Sequence, residues 1–237
     1  MIVSHRYKFI FLKTRKTGGT SIEIALSKFC GPQDVITPIS PTDERLRTEL
    51  GYRGRQNNHV SIRRYTLPDY ARLVVPGTRR AFRRHTPATR ARRDVGEACW
   101  KKYFKFSVER DPWDKAVSLY YWRARGSKPR ISFAQFIDTV DESHLSNFEI
   151  YGVGDSIVAD HVIRYENLHA ELAHVAARLN LPEPLELPRA KSGYREDSGR
   201  YWDLFSPDAV ARVAHVCRRE IKAFGYAGGP SPAGPPA

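Results

Sequence analysis

The chain has 237 residues, of which 41% are hydrophobic and 11% aromatic, and a formal net charge of +13. This composition excludes a disordered protein and predicts one α/β domain over residues 1–226, followed by a flexible Pro/Gly-rich tail over 227–237. No apolar run approaches the ~20 residues of a membrane-spanning helix, so we expect no membrane association. Three widely spaced cysteines and the absence of a secretory h-region favour a reduced, cytoplasmic location without a zinc site.

The first predicted unit is a strand, a glycine turn and a helix. Phe9–Leu12 is a short apolar run, typical of a strand that is buried on both faces. Gly18 and Gly19 allow the backbone to turn and to approach a ligand closely. We expect Thr20 or Ser21 to begin the helix that follows.

The segment from Lys16 to Ser21 predicts a cradle for a phosphate-like anion. The N–H groups and the dipole of a helix N-terminus point toward the preceding loop, where Lys16 and the hydroxyls of Thr17, Thr20 and Ser21 lie. The alternative is an ordinary strand–turn–helix with a solvated lysine. A Walker A loop is excluded because the lysine precedes the glycines and no Gly-Lys pair occurs in the chain, so we expect no magnesium site.

The positive charge is concentrated in one stretch of the chain. Between Arg45 and Lys105 there are 17 Lys and Arg against 4 Asp and Glu, whereas the remainder holds 22 of each. Either this stretch faces an anionic ligand or acceptor, or it is a solvated arginine-rich face of a chain whose genome favours arginine codons. Within it, Tyr70–Val75 is predicted as a strand or short helix and Thr89–Lys102 as helical.

A second strand–helix unit follows. Phe104, Phe106 and Val108 alternate with polar residues and predict a strand. Asp111 is a good N-cap, followed by a proline at the first helical position, so the helix should run to Tyr121 or Trp122. The remaining predicted elements are a capped helix from Ser132, a strand over 161–165, a helix over about 167–180 and a last helix from Ser206 to Gly225.

These units resemble a known family. Lys16-Thr17-Gly18-Gly19-Thr20-Ser21 is similar to the 5′-phosphosulfate loop of sulfotransferases that use 3′-phosphoadenosine 5′-phosphosulfate (PAPS). Residues 104–120 are similar to the family's second motif, a strand followed by R-[ND]-P-W-D-[RK]-x-x-S-x-Y, and Val162–Leu168 to a third segment. The resemblance spans nearly the whole chain and is closest to the bacterial branch related to carbohydrate O-sulfotransferases. It implies a three-layer α/β sandwich around a parallel sheet, the P-loop-NTPase-like sulfotransferase fold.

The resemblance also implies residue roles for the donor nucleotide. Lys16 would lie at the bridging oxygen, and Thr17, Gly18, Gly19, Thr20 and Ser21 would hold the 5′-phosphate. Arg110 and Ser118 would bind the 3′-phosphate, for which a guanidinium and a hydroxyl are suited; the alternative for Arg110 is a structural ion pair with Glu109 or Asp111. A loop containing Ser192 and Arg195 would close on the same phosphate, unless it is simply solvated.

His85 is predicted to be the general base. It lies in His-Thr-Pro-Ala, which is similar to the family's His-x-x-Ala segment, and His59 is the reserve candidate. The chain departs from the family pattern at three places. Thr14-Arg15 replace an apolar residue and a proline that are usual before the loop lysine. Glu109 occupies a position that is often apolar in the family, and Asp111 one that is often asparagine. An acid beside Arg110 is expected to compete for its guanidinium.

The resemblance implies a PAPS-dependent O-sulfotransferase that needs no metal. Its acceptor would be a hydroxyl of a sugar or a secondary metabolite, and the basic stretch tilts the prediction slightly toward an acidic one. A small-molecule kinase and a basic protein that binds nucleic acid or another polyanion are the alternatives. Either would leave the paired motifs unexplained, and the sequence does not set the oligomeric state.

Overall fold

The fold is organised around a five-stranded sheet. A computed structural model of the chain describes residues 1–72, 79–124, 131–188 and 201–230. Its strands are β1 (Ile2–Ser4), β2 (Phe9–Phe11), β3 (Val35–Ile36), β4 (Phe104–Glu109), β5 (Gly152–Val153), β6 (Ser156–Ile157) and β7 (His161–Arg164). The sheet order is β3-β1-β2-β4-β7, and β5 and β6 form a separate pair.

The sheet is mixed, and its three parallel strands lie next to one another at one side. β2, β4 and β7 are parallel, which confirms the predicted arrangement for these three strands. The sheet as a whole is mixed because β1 runs antiparallel to both β2 and β3. The chain reverses after β1, and Lys8 takes a left-handed backbone (φ 56°) in the turn.

Helices cover both faces of this sheet. They are α1 (Gly19–Ser27), α2 (Pro41–Glu49), α3 (Leu67–Arg72), α4 (Ala88–Val95), α5 (Glu97–Lys102), α6 (Pro112–Arg123), α7 (Phe133–Thr139), α8 (Glu142–Leu145), α9 (Phe148–Tyr151), α10 (Leu168–Arg178), α11 (Pro207–Val216) and α12 (Arg218–Phe224). Three short 3₁₀ helices span Ile62–Arg64, Tyr165–Asn167 and Tyr201–Leu204.

The alternation of side chains along β2 shows the three layers. Phe9 and Phe11 belong to a buried cluster with residues of α1 and α10. Ile10, on the opposite face, belongs to a cluster with residues of α4, α5 and α9. Successive side chains of a strand point to opposite faces, so the sheet lies between two helical layers and the predicted three-layer fold is confirmed.

A third cluster forms beside the sheet, where α6, α7, α8 and α11 pack around the buried indole of Trp113. The indole Nε1–H donates to the carbonyl oxygen of Ala227 at 3.0 Å, so the first residue of the predicted tail is bound to the fold. Residues 231–237 of that tail lie outside the described residues. Within the described ranges, no helix is long and apolar enough to cross a membrane, and no group of His, Cys, Asp or Glu has a metal-binding arrangement.

Two predicted helices are each divided in two. Residues 89–102 form α4 and α5, separated at Gly96, whose φ of 82° ends the first helix. The last helix is interrupted at Cys217 and ends at Gly225, the predicted stop, in a left-handed conformation (φ 65°). The stretch predicted as strand or short helix over 70–75 is helical up to Arg72, and residues 73–75 lie outside the described ranges.

Candidate active site

A cleft of about 360 Å³ opens where β2, β4 and β7 end. The carboxyl edge of parallel strands is the usual ligand site of open α/β sheets. Of the residues predicted from the sequence, those lining the cleft are Lys16, Thr17, Gly18, Gly19, Thr20, Ser21, His85, Arg110 and Ser118. His59 is not among the described residues that line it, and Ser192 and Arg195 lie outside the described part of the chain.

The start of α1 leaves its backbone donors to the cleft. The helix begins at Gly19, with Gly18 at the N-cap, so the prediction that Thr20 or Ser21 begins it is wrong by one or two residues. Gly18 has a φ of 71°, a left-handed conformation that glycine adopts readily, and it provides no capping side chain. No acidic residue lies in the first turn of α1. The first-turn N–H groups and the positive end of the dipole are therefore suited to an anion.

The two glycines of the loop are required for different reasons. At Gly18 the backbone conformation is the constraint, since a Cβ there would be 3.4 Å from the Tyr165 ring, an ordinary contact. At Gly19 space is the constraint, since a Cβ would lie 2.9 Å from Cγ of Lys13. The ammonium of Lys13 is itself held by the buried carboxylate of Glu23, so this neighbour has little freedom to move.

The hydroxyl of Thr17 is already used by the fold. Thr14 Oγ1 donates to the carbonyl oxygen of Val108 in β4, so the hydrogen bond between Thr14 Oγ1 and Thr17 Oγ1 (2.8 Å) takes its proton from Thr17. A hydroxyl has one proton, and a phosphate accepts rather than donates. The role predicted for Thr17 can therefore be performed only by its backbone N–H.

Arg110 connects the second motif to the loop. Its Nη1 donates to the carbonyl oxygen of Lys16 at 3.1 Å, and its Nε donates to Asp114 Oδ2 at 2.6 Å. The guanidinium lies over the ring of Tyr165, 4.3 Å from the centroid. Because a guanidinium has five N–H groups, donors remain on both Nη atoms for a ligand in the cleft. Asp114 thus orients Arg110 without using all of its hydrogen-bonding capacity.

The acids that flank Arg110 do not pair with its guanidinium, so the predicted competition from Glu109 or Asp111 is wrong. The buried carboxylate of Glu109 accepts hydrogen bonds from Lys115 Nζ (2.9 Å), the Tyr151 hydroxyl (2.8 Å) and the Arg110 backbone N–H (2.9 Å). Burial raises the pKa of Glu109, and the charge of Lys115 opposes that rise. Glu109 is therefore part of a buried hydrogen-bond network and not a partner of the Arg110 guanidinium.

Asp111 caps α6, as predicted. Its side chain accepts from the backbone N–H groups of Trp113 (2.9 Å) and Asp114 (3.0 Å). Burial, together with the nearby charges of Asp114 and Glu166, raises the pKa of Asp111 to about 6 despite the opposing effect of these hydrogen bonds. The Asp111 N–H donates to Glu166 Oε1 at 2.7 Å. This hydrogen bond thus connects the third segment of the family resemblance, Val162–Leu168, to the second motif.

His85 is held in the tautomer that leaves Nε2 unprotonated. The contact between His85 Nδ1 and the carbonyl oxygen of Lys13 is 3.0 Å, and a carbonyl can only accept, so Nδ1 carries the proton. Burial, together with the positive charges of Lys13 and Arg15, lowers the pKa of His85 to about 3. The imidazole is therefore neutral at physiological pH.

Sequence reasoning missed several residues of the cleft. Leu119 and Trp122 lie on α6 beside Ser118, and Trp122, one turn further along, could have been found from that spacing. The Lys16 ammonium lies 5.5 Å from the centre of the Trp122 ring. The other lining residues that were not predicted for the site are Lys13, Thr14, Arg15, Arg84, His144 and Tyr165.

The arginine-rich stretch is used partly by the fold. The buried Arg80 forms ion pairs with Asp69 and Asp94, and Arg92 pairs with Glu97 at 2.7 Å. Among its described arginines, Arg84 lines the cleft. The stretch is therefore neither a uniform solvated face nor a uniform ligand surface.

The site defines a class of α/β protein that can bind an anionic, phosphate-bearing ligand at the carboxyl edge of a largely parallel sheet. The model of the sulfotransferase family matches residues 1–227, and the chain belongs to that family. An uncharacterized protein of Archaeoglobus fulgidus is 32% identical over 105 residues, which cover 43% of this chain and 88% of that protein. No solved structure matches the chain. The family assignment makes the chain a sulfotransferase.

Proposed function

We propose that the chain transfers the sulfuryl group of PAPS to a hydroxyl group of an acceptor. The observation that supports this most directly is the hydrogen bond between Arg110 Nη1 and the Lys16 carbonyl oxygen, which joins the two nucleotide motifs in one cleft. The S–O bond to the 5′-phosphate breaks while the S–O bond to the acceptor forms, and the acceptor's proton passes to a base. Adenosine 3′,5′-bisphosphate leaves.

The residues present fit the donor nucleotide at both of its phosphates. The uncapped first turn of α1, with Gly18, Thr20 and Ser21, would hold the 5′-phosphosulfate through backbone N–H groups. Arg110 retains donors for the 3′-phosphate, and Ser118 lines the same cleft. Both phosphates would thus be bound by groups that the fold already holds in place.

Lys16 and His85 would perform two different parts of the transfer reaction. The ammonium of Lys16 would stabilise the charge that develops on the bridging oxygen. His85 Nε2 would accept the proton of the acceptor hydroxyl. A pKa of about 3 makes the imidazole a weak base in the free protein, but the phosphosulfate would oppose the charges of Lys13 and Arg15 that lower this pKa. Donor binding would therefore strengthen the base where it is needed.

The cationic mouth of the cleft favours an acceptor that carries an acidic group. Arg15 and Arg84 line the cleft together with His85. Among the described residues, neither arginine lies within ion-pair distance of a carboxylate. A carboxylate or sulfate beside the reacting hydroxyl would pair with them. We therefore propose a glycan or small-molecule acceptor of this kind.

The experiment is transfer of ³⁵S from labelled PAPS to matched acceptors, a hexose glycoside and the corresponding uronic acid, by the wild type and by His85→Gln. We expect labelled product from the wild type, with more from the uronic acid, and a loss of about 10²–10⁴-fold in His85→Gln. Parallel incubation with γ-³²P-ATP tests the kinase alternative. Label transferred from ATP and not from PAPS would contradict the proposal.

A further inference from the structure

Asn147 holds the loop at Arg15, the residue before Lys16. It lies between α8 and α9 and is 1% exposed. The Arg15 backbone N–H donates to Asn147 Oδ1 at 3.0 Å, and Asn147 Nδ2 donates to the Arg15 carbonyl oxygen at 3.0 Å. One amide side chain therefore satisfies both backbone groups of a residue 132 positions away, as a neighbouring strand would.

The residue after Arg15 has a conformation that needs such support. Lys16 has a φ of 61°, a left-handed backbone that is unfavourable for a residue with a Cβ. Strained conformations of this kind persist only where the surrounding contacts determine them. Here Asn147 fixes the residue before the strained position, and Arg110 Nη1 binds the carbonyl oxygen of Lys16 itself.

Asn147 is in turn fixed by the C-terminal part of the chain. Its backbone N–H donates to Glu220 Oε1 of α12 at 2.9 Å. The same oxygen accepts from Ser146 Oγ (2.7 Å) and from the Phe148 N–H (3.2 Å). Lys115 Nζ lies 3.8 Å from Glu220 and so balances its buried charge. The amide therefore has a defined position before any ligand binds.

We propose that Asn147 is a positioning residue, which keeps Arg15 and Lys16 in the conformation that presents the loop to the 5′-phosphosulfate. This inference rests on the proposed function, because it assigns the loop to that end of the donor. It also explains why a buried amide, rather than an apolar residue, lies behind the loop.

The test compares two ligands that differ in the group the loop would bind. Adenosine 3′,5′-bisphosphate carries the 5′-phosphate, whereas adenosine 3′-monophosphate lacks it and keeps the 3′-phosphate. We would measure both affinities by calorimetry for the wild type and for Asn147→Ala. We expect the bisphosphate to bind the variant about tenfold more weakly, equivalent to about 1.4 kcal/mol, and the monophosphate to bind within about twofold of wild type.

Two further variants keep the test decisive. Gln56→Ala also removes an amide that bonds two backbone carbonyls, those of Gly31 and Asp34, away from the cleft, and should leave both affinities unchanged. Asn147→Ser adds no charge beside the buried carboxylate of Glu109, which lies 3.4 Å from Asn147 Nδ2, and its side chain is too short to bond both backbone groups of Arg15, so it should weaken binding of the bisphosphate alone. It carries the test if the alanine variant does not fold.

The outcomes separate this inference from the proposed function. Equal weakening of both ligands in the Asn147 variants would make the residue merely structural, and no weakening of either would show that it does not position the loop. Both results contradict the inference while leaving the function intact. A wild-type protein that binds no bisphosphate would contradict the function itself.

Discussion

The backbone conformation of Gly18 gives a prediction whose size can be worked out. Gly18 has a φ of 71°, and a Cβ added there would meet only ordinary contacts, 3.4 Å to Tyr165 and 3.7 Å to Leu168. The cost of Gly18→Ala is therefore the left-handed backbone and not a steric clash. Gly51 provides a matched control, since its φ is 70° and a Cβ there would meet nothing within 4 Å.

A left-handed residue with a Cβ costs roughly 1–2 kcal/mol, and the lower entropy of the unfolded chain returns ~0.4–1 kcal/mol of this. Each variant should therefore lose about 1 kcal/mol, a fall of about 2–4 °C in Tm for a chain of this length. Thermal unfolding measures this loss. Titration with adenosine 3′,5′-bisphosphate should then distinguish the two variants. Gly18→Ala should bind the bisphosphate more weakly than Gly51→Ala, because only Gly18→Ala disturbs the anion cradle. A Gly18→Ala variant as stable as wild type, or one that binds the bisphosphate as Gly51→Ala does, would refute the reasoning.

Three further predictions follow from the titratable and charged groups of the site. Because the pKa of folded His85 (about 3) is below its ordinary 6.5, its contribution to stability is present above pH 6.5 and is lost as the pH falls toward 3. Its NMR signal, assigned with His85→Gln, should show no midpoint above pH 5; a midpoint near 6.5 would contradict this. Asp111 has the opposite sign, since its raised pKa (about 6 instead of 3.8) gives stability below pH 3.8 that is lost through pH 6. Asp111→Asn should therefore raise Tm at pH 7 and remove the Asp111 share of the pH dependence between 4 and 6, so that Tm rises more steeply with pH in this range than in the wild type, and an unchanged dependence would count against the assignment. Arg84→Ala should raise KM for an acidic acceptor and not for a neutral one, whereas the exposed neighbour variant Arg83→Ala should change neither; equal effects would remove Arg84 from the acceptor site.

Features that depend on a few adjacent residues could be predicted from the sequence. The apolar run at Phe9, the alternation before Glu109 and the Asp111-Pro112 cap each determine a local structure, and each is found at the predicted place. Two such units in parallel bring their carboxyl ends to one edge of the sheet. This is why most of the predicted nucleotide residues line one cleft.

The start of α1 was harder to predict because two signals compete there. Thr20 and Ser21 are good capping residues, but a glycine that can adopt a left-handed backbone ends the loop earlier. The helix therefore begins at Gly19, and the hydroxyls lie within its first turn. The consequence is an uncapped helix start, which suits an anionic ligand better than a capped one.

Contacts between distant parts of the chain could not be predicted from local patterns. Glu109 looked like a competitor for Arg110, yet its carboxylate is used by Lys115 and Tyr151, the second of which lies 42 residues away. The partner of the Arg110 guanidinium is Asp114, the second aspartate of the same motif, four residues after Arg110. Asn147 gave no sequence signal at all, because its role depends on meeting a backbone 132 residues away.

The central claim is that the cleft recognises a nucleotide with both a 5′- and a 3′-phosphate. Calorimetric titration with adenosine 3′,5′-bisphosphate, ATP and 5′-AMP tests it most directly, using the wild type and Arg110→Ala. We predict that the bisphosphate binds most tightly and that Arg110→Ala loses this preference, so that bisphosphate and 5′-AMP bind the variant alike. Tighter binding of ATP, or a bisphosphate affinity that Arg110→Ala leaves unchanged, would contradict the account.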